Sequence, residues 1–158
     1  MTLPLTPHPQ NIPQELKARP QWVIWRMEER EGKPTKVPYN AANPTQKAKA
    51  NEPGTWGTFE QAMKVFKAGT FAGIGYEFSA ADPYTGIDLD HCRNPETGEI
   101  ELWAREIITR LNSYTEISPS GQGIHILVRG KLPPGTRRKG QVEMYSEGRY
   151  FTMTGVLP

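Results

Sequence analysis

Most ordered stretches of the chain alternate apolar and polar side chains with a period of two, and only two stretches show a helical period. "QWVIWRM" (21–27) reads as a buried strand with Pro20 at its entrance. The stretch 32–57 is punctuated by Gly, Pro and Asn and carries at most a short strand near Lys36 to Tyr39. Thr58 with Gln61 forms a capping box that opens a helix over 59–68. "AGIGYEF" (72–78) and "TGIDLD" (85–90) are two further strands. "ELWAREIITRLN" (101–112) places Ala104, Ile107, Ile108 and Leu111 on one helical face. Strands over 114–118 and 123–130 precede "VEMYSEGRYFTMTG" (142–155), which reads as a hairpin with Gly148 in its turn. Residues 1–13 are rich in proline and predict an extended arm; 14–158 predict one domain. The class is α+β, a mostly antiparallel sheet with flanking helices.

Parity along a strand gives each residue a side. Ile87 and Leu89 point one way, Asp88 and Asp90 the other. Ile124, Ile126 and Val128 share a side and leave His125 opposite. Val142 and Met144 leave Glu143 and Tyr145 opposite. If every aliphatic side faces the core, two aspartates, a histidine and a glutamate emerge together. Carboxylates about 6.6 Å apart along one strand, with a third about 4.8 Å away on the next, repel one another unless cations intervene. Two divalent ions about 3.5–4 Å apart would fit such a set, and all-oxygen ligands favour Mg²⁺ or Mn²⁺. The plainer reading is a solvated strand face, a structural histidine and a Glu143 paired with a base. Periodicity does not separate the two.

"SPSGQGIHI" links two strands through Ser120, Gly121, Gln122 and Gly123, with His125 just beyond. Glycines permit positive φ, so successive N–H groups can converge on an anion; an ordinary glycine-rich hairpin loop is the alternative. The chain has no G-x-x-x-x-G-K-[ST] motif, so no Walker-type ATPase motor is expected.

Length and composition suit a globular domain. One cysteine, Cys92, excludes an intrachain disulfide. No apolar run approaches the roughly 20 residues that span a bilayer, and the N-terminus lacks a signal-peptide pattern, so a cytoplasmic protein without a membrane partner is expected. A formal net charge of +2 is too small to mark a nucleic-acid binder, which leaves the matter to charge placement.

The ordered set "LKARPQWVIWR", "GKPTKVPYN", "TWGTFEQA", "GIGYEF", "GIDLDHC", "YTEISPSGQGIHI" and "EMYSEGRYFTMTG", over residues 12–155, resembles the archaeo-eukaryotic primase superfamily. The likeness is to its primase-polymerase branch of phages, plasmids and mobile elements. It implies a catalytic unit related to the RNA-recognition fold, preceded by a small αβ unit. It also implies template-directed nucleotidyl transfer with two Mg²⁺ or Mn²⁺ ions. By that resemblance Asp88, Asp90 and Glu143 are the catalytic, metal-binding acids. Ser120, Gly121, Gly123 and His125 hold the incoming triphosphate, with Arg149, Tyr145 and Lys36 as further nucleotide contacts. The implied partners are a single-stranded DNA template with its primer, a dNTP or NTP, and a helicase or helical accessory region after the core. The chain departs from the pattern in three ways. Its third acid is glutamate where aspartate is commoner, it has no cysteine-rich zinc stem, and it stops at Pro158 as the core closes. His91 and Cys92 follow Asp90, but two ligands make no metal site.

Arg129, Lys131, Arg137, Arg138 and Lys139 cluster around the Pro-Pro-Gly loop at 133–135, as a phosphate-backbone contact or as a solvated run. Lys33, Lys36, Lys47 and Lys49 offer a similar choice. Gly73 and Gly75 leave one strand face bare for a base or sugar. The four tryptophans are expected in the core. The function expected is therefore a DNA primase-polymerase. A metal-dependent phosphodiesterase or nuclease, and a non-catalytic nucleic-acid-binding module on the same fold, are the alternatives.

Overall fold

Two antiparallel sheets, rather than one, organise the chain in a computed structural model that describes residues 3–158 except 134 and 136. The strands are β1 (Trp22–Arg30), β2 (Lys33–Asn40), β3 (Gly73–Glu77), β4 (Tyr84–Leu89), β5 (Tyr114–Ile117), β6 (Ile124–Arg129), β7 (Arg138–Lys139), β8 (Val142–Tyr145) and β9 (Tyr150–Met153). The helices are α1 (Gln14–Lys17), α2 (Phe59–Lys67) and α3 (Leu102–Leu111). The first sheet runs β2-β1-β3-β9 and the second β5-β6-β4-β8-β7. The α+β class is as expected. Among the described residues no helix is long and apolar enough to cross a membrane.

The "GKPTKVPYN" stretch forms a full strand of eight residues, longer than its prolines predict. Its position explains the difference, because β2 lies at a sheet edge, where a missing N–H costs no ladder bond. Glu31 and Gly32, both at positive φ (52° and 75°), make the two-residue turn that joins it to β1. The capping box at Thr58 and Gln61 forms as predicted and opens α2.

The hairpin expected over 142–155 does not form. Gly148 does turn the chain, at φ 73°. However, β8 pairs with β4 and β7 in one sheet, while β9 pairs with β3 in the other. Alternation on both sides of a glycine turn is the same signal whether the strands pair with each other or part. The N-terminal arm docks against the domain. Leu5 N donates to Pro119 O (2.9 Å) and His8 N to Thr154 O (2.7 Å), and Ile12 is buried.

One core lies between the two sheets and under α2, around Trp22, Ile24, Ile74, Tyr76, Phe78, Leu127 and Phe151. A second lies on the other face of the second sheet, where Ile87, Leu89, Ile124 and Ile126 meet Ala104 of α3. Trp22, Trp25 and Trp56 are buried, as expected, and Trp103 is half-buried. The faces of Gly73 and Gly75 are not bare. A Cβ on Gly73 would sit 2.6 Å from the Trp25 indole, and one on Gly75 would sit 2.7 Å from the Tyr150 ring. These glycines make room for aromatic rings of the protein itself.

A Cβ on Gly86 would come within 2.5 Å of Phe78 and 2.6 Å of Phe151. Gly86→Ala should therefore cost about 1–3 kcal/mol, read as a lower denaturant midpoint; an unchanged midpoint would mean that the rings can retreat. Glu77 is buried with Oε1 unpartnered, and burial pushes its carboxyl up from 4.5 to about 7. A raised carboxyl binds a proton in the folded state that the unfolded chain has released, so stability falls as pH rises from about 4.5 through 7. Glu77→Gln should flatten that slope and, at pH 8, exceed wild type by up to about 3 kcal/mol. Parallel slopes would refute it.

Candidate active site

Strand register builds the site. Asp88 on β4 lies opposite His125 on β6 and also opposite Glu143 on β8. His125 in turn lies opposite Glu116 on β5, and Glu143 opposite Arg138 on β7. A single row thus crosses all five strands, Glu116–His125–Asp88–Glu143–Arg138. It sits on the face that packs against the first sheet further along, since Gly86 on β4 touches Phe151 and His125 stacks on the same ring.

The charges along the row are unequally compensated. Glu143 pairs with Arg138 (2.6 Å) and Arg149 (3.6 Å) and accepts a hydrogen bond from Tyr145. The Arg149 guanidinium stands 4.3 Å over the Tyr145 ring. Burial, then the bond to Glu143, raises the Tyr145 phenol, which keeps it a donor. Asp88 and Asp90 accept no side-chain hydrogen bond from any described residue. Burial raises the Asp88 carboxyl, with nearby Asp90 and Glu143 adding to the effect, while His125 and Lys36 partly offset it. The nearest cation-forming group is His125 Nε2, 3.8 Å from Asp88 Oδ1. Among the described residues no three His, Cys, Asp or Glu side chains already converge as a metal cage. The donor set nevertheless fits a hard divalent cation, with oxygen ligands only and two carboxylates without donors.

The glycine loop is braced from within. Gly121 N donates to Ser118 O (2.9 Å), Gln122 N to Ser120 Oγ (3.2 Å) and Gly123 N to Ser118 Oγ (3.0 Å). These amides therefore do not stand open as an anion concavity, while the side chains of Ser120 and Gln122 are exposed. Its carbonyls clamp the segment after Asp90: Gln122 O accepts from Cys92 N and Arg93 N, and Gly121 O from Arg93 Nη1 (2.8 Å). Lys36, on the edge strand β2, is exposed, and its carbonyl accepts from the Tyr150 hydroxyl (2.6 Å).

The basic cluster divides. Lys131 Nζ donates to Ser79 O and Ser146 O (2.6 Å each) and pairs with buried Asp82 (3.1 Å), so it fastens the turn between β3 and β4 and is not a free cation. Arg129 pairs with Glu15 (2.5 Å) and lies over Tyr84. Arg137 donates to Pro133 O, and Arg138 belongs to the acidic row. Lys139, Lys33, Lys47 and Lys49 are exposed. Pro134, within the Pro-Pro-Gly loop, lies outside the described residues.

Sequence reasoning missed Glu116, Arg93 and Asp82. Glu116 was within reach, because in "YTEI" it shares parity with the His125 side. Asp82 accepts from Gln21, Tyr76, the amides of Ser79 and Tyr84, and Lys131, partners scattered from 21 to 131 that no local pattern connects.

The fold and the row define an α+β protein with an acidic, histidine-flanked site at the margin of an intersheet core. No family model matches the chain. It is 39% identical over 141 residues to a DNA primase-polymerase of Nitratiruptor phage NrS-1, a match that takes in 85% of this chain. The chain is thus related to a phage primase-polymerase, and it spans 19% of that relative's length.

Because burial and like charges raise Asp88, its ionisation opposes folding, and the penalty appears as pH rises through its folded pKa. Asp88→Asn should therefore be more stable than wild type at neutral pH in metal-free buffer, with the gap closing as pH falls to about 4. Urea midpoints at several pH values would show this; a variant less stable at neutral pH would mean that Asp88 is held by bonds rather than crowded.

Proposed function

We propose that this chain is the catalytic unit of a DNA primase-polymerase, a template-directed nucleotidyltransferase of phage or mobile-element replication. The observation that carries the reading is the row that sets Asp88 between His125 and Glu143, in a chain related to a phage primase-polymerase. The 3′-hydroxyl of a primer, or of a first nucleotide, attacks the α-phosphate of a bound dNTP or NTP, and pyrophosphate leaves. Asp88, Asp90 and Glu143 would hold Mg²⁺ or Mn²⁺, two ions in all, and when bound these neutralise charge on the attacking and leaving oxygens.

The chain's own residues supply position and charge. His125 and the hydroxyl of Ser120 meet the triphosphate, and Gly121 and Gly123 shape the loop that carries Ser120. Glu143 must exchange its arginines to take up a cation, which frees Arg149 and Arg138 for phosphate oxygens. Tyr145 carries Arg149 on its face and so fixes where that guanidinium sits. Lys36 draws the nucleotide from the edge of the first sheet. Arg137 and Lys139 meet the backbone of a single-stranded template, and a helicase or helical accessory region would act beside this unit.

Incubation with labelled dNTPs, Mn²⁺ and a primed template tests the reading. Primer extension is expected, with Asp88→Asn or Asp90→Asn reducing it at least a hundredfold while the fold survives. Mn²⁺ should also raise the melting temperature of wild type but not of Asp88→Asn. Shortened primer would identify a nuclease, and a mobility shift without chemistry a binding module.

A further inference from the structure

Glu116 closes the row at the end opposite Arg138 and is completely buried. Its Oε1 accepts from the Tyr114 hydroxyl (2.7 Å) and from Gly155 N (2.9 Å). Its Oε2 accepts from Thr154 N (2.9 Å) and lies 3.1 Å from His125 Nδ1. Three of these partners can only donate or are placed to donate, so the carboxylate serves entirely as an acceptor. The fourth contact is favourable only if Nδ1 of His125 carries a proton. The face of the ring is fixed as well. Phe151 stacks on it with centroids 4.5 Å apart and planes 18° from parallel, so the imidazole cannot rotate without displacing that ring. Edge and face together leave Nε2 turned toward Asp88 Oδ1 at 3.8 Å, too far for a hydrogen bond.

We propose that Glu116 is a positioning residue: it holds His125 through Nδ1–H and so turns Nε2 to the open side, where the second N–H of the imidazolium is the one ring donor free to meet a nucleotide phosphate beside Asp88. The inference rests on His125 as a nucleotide contact, the reading given above. Glu116 itself touches no reactant. It acts through the ring, as carboxylates behind metal-binding histidines do. It also ties down Thr154 and Gly155, where the chain leaves β9, so the seat of the histidine and the exit of the chain share one carboxylate.

Long-range ¹H–¹⁵N spectra of the whole, metal-free chain read the ring directly, with His125→Ala identifying its signals against those of His8 and His91. The expected result is a protonated Nδ1 in wild type and mixed or reversed protonation in Glu116→Gln. Wild-type spectra showing a bare Nδ1 would overturn the proposal, even if the variant failed to fold. Titration with a non-hydrolysable dNTP supplies the second arm. Glu116→Gln should weaken nucleotide binding about tenfold and leave single-stranded DNA binding unchanged, which loss of fold alone would not do. Weakened binding in His125→Ala beside unchanged binding in Glu116→Gln would overturn the part assigned to Glu116. Unchanged binding in His125→Ala would overturn the reading of His125 beneath it.

Discussion

The absence of a side chain at Gly86 governs how the two sheets meet. Phe78 and Phe151 occupy the space that any Cβ there would claim, so the first sheet closes onto β4 at that point. Phe151 is also the ring on which His125 lies flat. Interlocked aromatic packing of this kind has little slack. The depth of the intersheet core therefore sets the plane of the histidine. Asp88, two residues on and about 6.6 Å along the same face, falls where this packing gives out and is the first partly open residue of the strand, its side chain 25% exposed. The site begins where the core ends because one strand serves both.

Across the site, neutralisation of the carboxylates follows burial. Glu116, fully buried, has four partners; Glu143 has two arginines and a tyrosine; Asp88 and Asp90 have almost nothing. Half-buried carboxylates without donors are costly, and proteins keep such groups at functional sites more often than elsewhere. The same chain shows that it can satisfy a carboxylate when structure alone requires it. Asp82, between β3 and β4, is given five donors, Lys131 among them. The bareness of Asp88 and Asp90 is thus local to the site.

Much of this could be read from the chain alone. The alternation of Ile87 and Leu89 against Asp88 and Asp90, and the matching patterns around His125 and Glu143, assign these residues to a non-aliphatic face. In the structure they share one face of one sheet. The capping box at Thr58 and the helix ends likewise came through, because each depends on residues within one turn of the chain. Less was legible where neighbours are distant. The turn at Gly148 was plain, yet nothing near it tells that β8 and β9 belong to different sheets. Lys131 reads as one more surface cation until the fold carries it to Ser146 and Asp82. Gly73 and Gly75 read as open ground until Trp25 and Tyr150 fill it.

The division has a physical cause. The side of a strand on which a residue falls is fixed by its own backbone angles and those of its neighbours, and the apolar pattern records it. The sequence by itself therefore determined which side chains could share the site. Which strands adjoin, and in what register, is decided by burial summed over the whole molecule against the entropy of closing long loops. Only the tertiary structure could place Asp88 directly between His125 and Glu143, bring Glu116 behind the histidine, and turn four of the five clustered basic residues, Arg129, Lys131, Arg137 and Arg138, to partners within the fold.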